Sequence, residues 1–230
     1  MKDSINVRAD DKKVKGTKMT DKQLLVYFAL LSKTNRRPDG AEHHRYLYLK
    51  DISKKELGED ICVSQPTFRA AEKKLKELGL IVEDEERRIY FFPDQKVYTW
   101  IPVEALSLLL KMGGRSGYGG EILRLYSAIH YYKDKPQEFS ARTWVYALGL
   151  DERYQKNYTD VKFWLFALKE YGLIDYDLEK VRARGGKYYT KYNNVVVCGP
   201  EHFIDYEESA APLDERAKEY RAAVEKEYEI

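Results

Sequence analysis

The sequence predicts an α+β chain, mostly helical, in which one small fold is written twice. Three observations predict it. The heptapeptide Leu75-Lys76-Glu77-Leu78-Gly79-Leu80-Ile81 returns as Leu168-Lys169-Glu170-Tyr171-Gly172-Leu173-Ile174, with one letter changed. Apolar residues at helical spacing lead into each copy, and short β-prone runs lead out of it. The length, 230 residues, accommodates two domains of about 100 residues each.

Residues 1–19 are polar and mixed in charge, and they read as a flexible N-terminal arm. Thr20 and Asp21 then offer caps for a helix running to about Lys33, with Leu24, Leu25, Phe28 and Leu31 on its apolar side. Pro38 and Gly40 mark residues 35–45 as a loop, and residues 46–49 read as a short strand. Ser53 and Glu56 have the spacing of a capping box and open a helix reaching about Ile61. Leu57 and Ile61 share a face of it, and Gly58 lets another helix approach. Cys62-Val63 forms a turn. Ser64 caps the next helix, whose Pro66 sits in the first turn where a missing N–H costs nothing. Phe68, Ala71, Leu75 and Leu78 give that helix one buried stripe, and Gly79 ends it in left-handed geometry. Residues 80–82 and 89–92 then read as two strands joined by a turn. Helix, strand, helix, tight turn, helix and hairpin is the order of a winged helix, and it fills residues 20–100.

Residues 101–120 read as a linker. Pro102 opens a helix through Met112, and "GGRSGYGG" follows with five glycines in eight residues. As a phosphate cradle this run lacks the lysine and hydroxyl of a P-loop, so it reads as a flexible connector. Residues 121–204 repeat the order of the first domain. A helix over 121–132 puts Ile122, Leu125, Tyr126 and Ile129 on one face. Ser140 caps a second helix, Thr159 caps a third that runs to Tyr171, and Gly172 ends it. A hairpin turns near Gly185-Gly186 and returns along residues 188–197. Residues 205–230 read as an acidic C-terminal helix, started by Pro212, with Leu213, Ala217, Tyr220 and Val224 in a stripe. That stripe could dock on the same chain or on a second protomer, as in a homodimer.

The net charge is +2, but residues 205–230 hold nine acids against four bases, which leaves a modestly basic body suited to a polyanion. Cys62 and Cys198 are the two cysteines, and they form no CxxC pair. A disulfide framework or a cysteine zinc site is therefore not expected. The longest strongly apolar stretch, residues 24–31, falls short of the ~18 residues of a membrane span, and the first residues lack the apolar core of a signal peptide. No membrane partner and a cytoplasmic location are expected. His43, His44, His130 and His202 make no metal-binding pattern. Tyr131-Tyr132 and Tyr188-Tyr189 lack the paired histidines that nicking chemistry requires, and they read as packing or stacking residues. No enzyme activity, metal or cofactor is expected.

Duplex DNA is the ligand these patterns suggest. On the helix that Gly79 ends, Gln65, Thr67, Arg69, Lys73 and Lys74 face away from the apolar stripe. A recognition helix brings its N-terminal residues to base edges in the major groove. There Gln65 could bond adenine and Arg69 could fork onto guanine, while Ser64, Thr67, the lysines and the first amides hold phosphates. The first hairpin tip, "EDEERR", is too acidic to probe a minor groove. The second, "EKVRARGGKYYTKY", carries Lys180, Arg182, Arg184, Lys187 and Lys191, and arginines suit a narrow, strongly negative minor groove. The third helix of the second copy, "DVKFWLFALKEYG", is apolar nearly all round. It is expected to pack against the first domain, the C-terminal helix or another subunit, with Lys156, Asn157, Lys162 and Lys169 as its few polar candidates.

"LKDISKKELGEDICVSQPTFRAAEKKLKELGLI", residues 49–81, resembles the winged helix-turn-helix of bacterial regulators and of plasmid or phage replication initiators. Cys62 stands where such turns often have glycine. Two winged helices in one chain, joined by a helix and a Gly-rich connector, resemble the tandem winged-helix plasmid initiators. "KVYTWIPVEALSLLLKM" is similar to the Ile-Pro helix entry of phage replisome organisers. The resemblance covers residues 20–204 as architecture and 49–81 as sequence. It implies binding of repeated origin sites and recruitment of host helicase or primase. A transcription regulator on the same fold and a protein-interaction scaffold are the alternatives.

Overall fold

Several helix ends in this α+β chain are closed by a polar side chain or a left-handed turn that the sequence supplies. The computed structural model describes residues 4–8, 19–36, 45–93, 98–131, 138–183, 186 and 188–228. Residue contacts divide them into two units, the first ending at Leu123 and the second beginning at Arg124. Among the described residues no helix is long and apolar enough to cross a membrane.

The first unit opens with β1 (Ser4–Arg8) and α1 (Asp21–Ser32). Thr20 and Gln23 cap α1 reciprocally, and every residue from Leu24 to Leu31 is buried, which makes α1 the centre of this unit. There follow β2 (Asn35–Arg36), β3 (Arg45–Tyr48), α2 (Lys54–Asp60), α3 (Gln65–Glu77), β4 (Val82–Asp84) and β5 (Ile89–Phe92). The strands order β2-β3-β5-β4, all antiparallel. β6 (Tyr98–Pro102) pairs antiparallel with β1, so residues 4–8 of the expected flexible arm form a strand. α4 (Val103–Gly114) completes the unit.

The stretch expected as a flexible connector is closed packing inside this unit. A side chain on Gly120 would collide with Leu24 of α1, and one on Gly114 would come within 2.6 Å of the Ile61 carbonyl. The glycines let the chain lie against α1 and the end of α2, and Tyr118 is buried among them.

The second unit takes most of α5 (Glu121–Tyr131), then β7 (Phe139–Ser140), α6 (Ala141–Ala147), α7 (Gln155–Glu170), β8 (Ile174–Arg182), β9 (Tyr188–Val197) and α8 (Tyr206–Tyr228). Its strands order β7-β9-β8. Helix, strand, helix, helix, strand, strand therefore occurs in both units. In each, the strand before the second helix pairs with the returning strand of the hairpin, β3 with β5 and β7 with β9. Two boundaries differ from those expected. α7 begins at Gln155, because Asn157 donates to the Asp151 carbonyl (2.8 Å) and fixes the turn before it, and Thr159 is buried inside the helix. α8 begins at Tyr206, because the Asp205 carboxylate accepts the Glu207 N–H (2.9 Å), so Pro212 lies inside the helix and does not start it.

The repeated heptapeptide ends α3 and α7 identically. Gly79 (φ +66°) and Gly172 (φ +74°) are left-handed. Leu80 N–H reaches the Leu75 carbonyl (3.0 Å), and Leu173 N–H reaches that of Leu168 (2.9 Å). This is the six-to-one bond that satisfies a helix's last carbonyls, and the glycines avoid the Cβ clash of that conformation. The same pattern ends α2 and α6, with Gly149 (φ +66°) after α6 and Cys62 (φ +52°) after α2. Cys62 thus holds a backbone conformation that glycine would hold without strain.

Candidate nucleic-acid interface

α3 buries Phe68, Ala71 and Leu75 and leaves the opposite face in solvent. Of the residues expected on that face, Arg69 and Lys73 are exposed and make no ion pair or hydrogen bond among the described residues. Thr67 is exposed too. Ser64 occupies the N-cap position, but its hydroxyl bonds that of Thr67 (2.9 Å) and caps no amide. Lys74 pairs with Glu77 at 3.1 Å. Gln65, expected to read adenine, is half-buried and donates its amide to the Lys54 carbonyl (2.9 Å), so it ties the start of α3 to α2.

Helical spacing alone does not reveal what holds α3 in place. Glu72 is buried on its inner side. Lys54 Nζ donates to Glu72 Oε1 (2.8 Å) and to the Tyr90 hydroxyl (3.0 Å). The Tyr90 hydroxyl donates to Glu72. Lys76 lies 3.3 Å from Glu72 and donates to Glu83 of β4. One carboxylate thus joins α2, α3, β4 and β5. Burial pushes the Glu72 carboxyl up, but hydrogen bonds from Lys54 and Tyr90 and the lysine charges outweigh it and hold the carboxyl below its ordinary value. Burial and the Glu72 hydrogen bond push the Tyr90 phenol up. The signal in the sequence is small: Glu72 falls within the apolar stripe, one turn before Lys76.

α7 stands where α3 stands in the first unit, but it has no free face of comparable size. Thr159, Asp160, Phe163, Trp164 and Leu165 are all buried. α8 lies along it. Phe166 stacks on Tyr220 with ring centroids 4.2 Å apart and planes 5° from parallel. Arg221 pairs with Asp160 (2.8 Å) and covers the Phe163 ring, Arg216 pairs with Glu170 (2.7 Å), and the Tyr171 hydroxyl donates to Asp214 (2.8 Å). Of the three coverings open to this apolar helix, the structure supplies the C-terminal helix. Lys156 pairs with Asp160 at 3.3 Å, and Lys169 pairs with Asp175 at 2.6 Å.

On the second hairpin Lys180 and Arg182 are exposed, while Arg184 and Lys187 lie outside the described residues. Lys191 is engaged with Glu138 at 2.6 Å. On the first hairpin Arg87 pairs with Asp84 at 3.7 Å. The exposed cations of the expected set are therefore Arg69 and Lys73 on α3 and Lys180 and Arg182 on β8. The chain matches no family model, no curated protein and no solved structure.

Proposed function

We propose that both units are winged helices and that the chain binds double-stranded DNA in a sequence-specific way. α3 would enter the major groove, and the β8–β9 hairpin would track the minor groove. The observation that carries this reading is the outer face of α3, where Arg69 and Lys73 stand exposed and unengaged on a helix whose inner side is clamped by Glu72. A cation held on a rigid element loses little on binding, and an arginine near a recognition helix's start can fork onto guanine. Because α8 covers α7, the second unit would contribute its hairpin, through Lys180 and Arg182. The resemblance of residues 49–81 extends the reading to initiation of plasmid or phage replication at repeated origin sites, with host helicase or primase as partner in the cytoplasm.

Titration of the full chain with plasmid or phage origin fragments at several salt concentrations tests it. Each phosphate contact contributes about −0.9 to the log–log slope on B-DNA. Arg69→Ala should relax base preference and cost about 1–3 kcal/mol of affinity, whereas Lys73→Ala should weaken all sequences alike. A slope of zero removes the DNA reading and leaves the interaction scaffold. Footprints on direct repeats support the initiator, and a footprint on a single palindrome over a promoter supports the transcription regulator.

A further inference from the structure

The second unit has a further feature that shares only Lys180 with the duplex reading. A cleft of about 710 Å³ opens between the outer part of the β8–β9 hairpin and the first turns of α6 and α7. Arg142, Tyr158, Lys162, Lys180, Tyr188 and Tyr189 line it, and no aspartate or glutamate does. Its volume falls within the range of about 300–1,000 Å³ that ligand clefts occupy.

The hairpin register shows how the cleft arises. Arg182 pairs with Tyr188 and Lys180 with Thr190, so these four side chains share one face of the sheet. Two residues further along that face, Tyr192 is fully buried against Tyr176 and the core. The face thus runs from core into solvent. At its outer end Tyr188 is 67% exposed; Tyr189, which strand alternation sends to the opposite face, is 45% exposed and also borders the cleft. Lys180 has no ion pair among the described residues, and Arg142 holds Glu152 at 2.9 Å.

We propose that this cleft binds single-stranded nucleic acid, with bases stacked on Tyr188 and Tyr189 and phosphates held by Lys180, Lys162 and Arg142. An aromatic ring in solvent beside cations suits a base with a free face and the phosphate that follows it. A duplex offers no such face, since its bases already stack on one another. The opposite side of α7 is closed by α8, so the cleft is the open surface that its first turns share with the hairpin. The proposal goes beyond the duplex reading and does not depend on it.

Fluorescence anisotropy of dye-labelled oligothymidylate about 15 nucleotides long, near the upper site size of single-strand binders, tests it with the full chain. Oligothymidylate should bind with a salt slope of about −0.7 per phosphate. Tyr188→Ala and Tyr189→Ala should each weaken it roughly 5- to 150-fold, while the Tyr→Phe variants, which keep the ring, should bind as the parent does. Lys180→Glu, on an exposed strand position, should weaken it without changing the melting curve. Arg69→Ala should leave it unchanged while lowering duplex affinity, so that either reading can fail alone. No binding at low salt, parental binding by the Tyr→Ala and Lys180→Glu variants, or a loss confined to duplex would each overturn the proposal.

Discussion

α3 and α7 end in nearly the same seven residues, yet one keeps a wet face along its length and the other is covered along most of its own. Equivalent positions differ by the 93 residues that separate Leu75 from Leu168 (168 − 75). Lys73 therefore corresponds to Phe166, which stacks on Tyr220, and Glu72 corresponds to Leu165, which is fully buried. The first helix solves its inner side with a carboxylate network and stays free outside. The second is apolar on both sides and is closed by α8. The comparison teaches that the repeated seam fixes how helix meets hairpin, while the residues one turn earlier decide what each helix is free to touch.

The largest expected effect comes from the seam glycines, which look equivalent in sequence. A methyl on Gly79 meets nothing within 4 Å, whereas one on Gly172 collides with the His202 carbonyl. Gly172→Ala combines that overlap with left-handed strain and should cost about 2–4 kcal/mol, against about 1 kcal/mol for Gly79→Ala. Urea unfolding followed by far-UV circular dichroism and tryptophan fluorescence separates them, since Trp100 belongs to the first unit and Trp144 and Trp164 lie buried in the second. Equal costs would mean that the segment after β9 does not pack against Gly172.

Covering α7 should matter next. Tyr220→Ala removes the stack on Phe166 and should destabilise the second unit by about 1–3 kcal/mol. Lys73→Ala, at the corresponding place on α3, should change stability by less than about 0.5 kcal/mol. Thermal melts of the two variants check the pair.

The Glu72 network gives the first unit a buried, acid-sensitive clamp. The Glu72 carboxyl is held below its ordinary value, so its contribution is present above the unfolded carboxylate range. It is lost as pH falls through the folded value. Glu72→Gln should cost about 1–2 kcal/mol at neutral pH, limited by solvent screening of the two lysines. The loss should shrink below about pH 4, where the parent protonates too. Melting curves from neutral to acid pH measure both.

The smallest effect is a gain. Cys62 holds a left-handed conformation that Gly149 holds in the second unit. Cys62→Gly should stabilise the first unit by about 0.5–1 kcal/mol, the relief of strain exceeding the added freedom of the unfolded chain. A urea midpoint that falls would show that the thiol makes a contact worth more than the strain.

Much of this architecture was legible because local rules produce it. Glycine after Leu78 and Tyr171 marks a helix end by its φ alone, and the residues that follow enter a strand. The unread parts depend on partners far along the chain. Gln65 looks outward by helical spacing, but the Lys54 carbonyl draws its amide inward. Glycines at residues 113–120 look loose by composition, yet Leu24 and Ile61 leave room for nothing larger at two of them. The helical spacing of residues 159–171 revealed that α7 needs a cover without saying which, and Asp214, Arg216, Tyr220 and Arg221 supply it. On the candidate interface the exposed cations were visible as charge, whereas the carboxylate clamp beneath them was not, because a buried acid looks like any other surface acid until its partners meet.

Order of synthesis makes the α7–α8 packing a matter of timing. α7 leaves the ribosome before β8, β9 and α8 exist, so Phe163 and Phe166 wait in water until the last helix arrives. A nascent chain halted in that interval carries a greasy stripe with no lid, and it should be drawn into chaperones or aggregates until α8 is made.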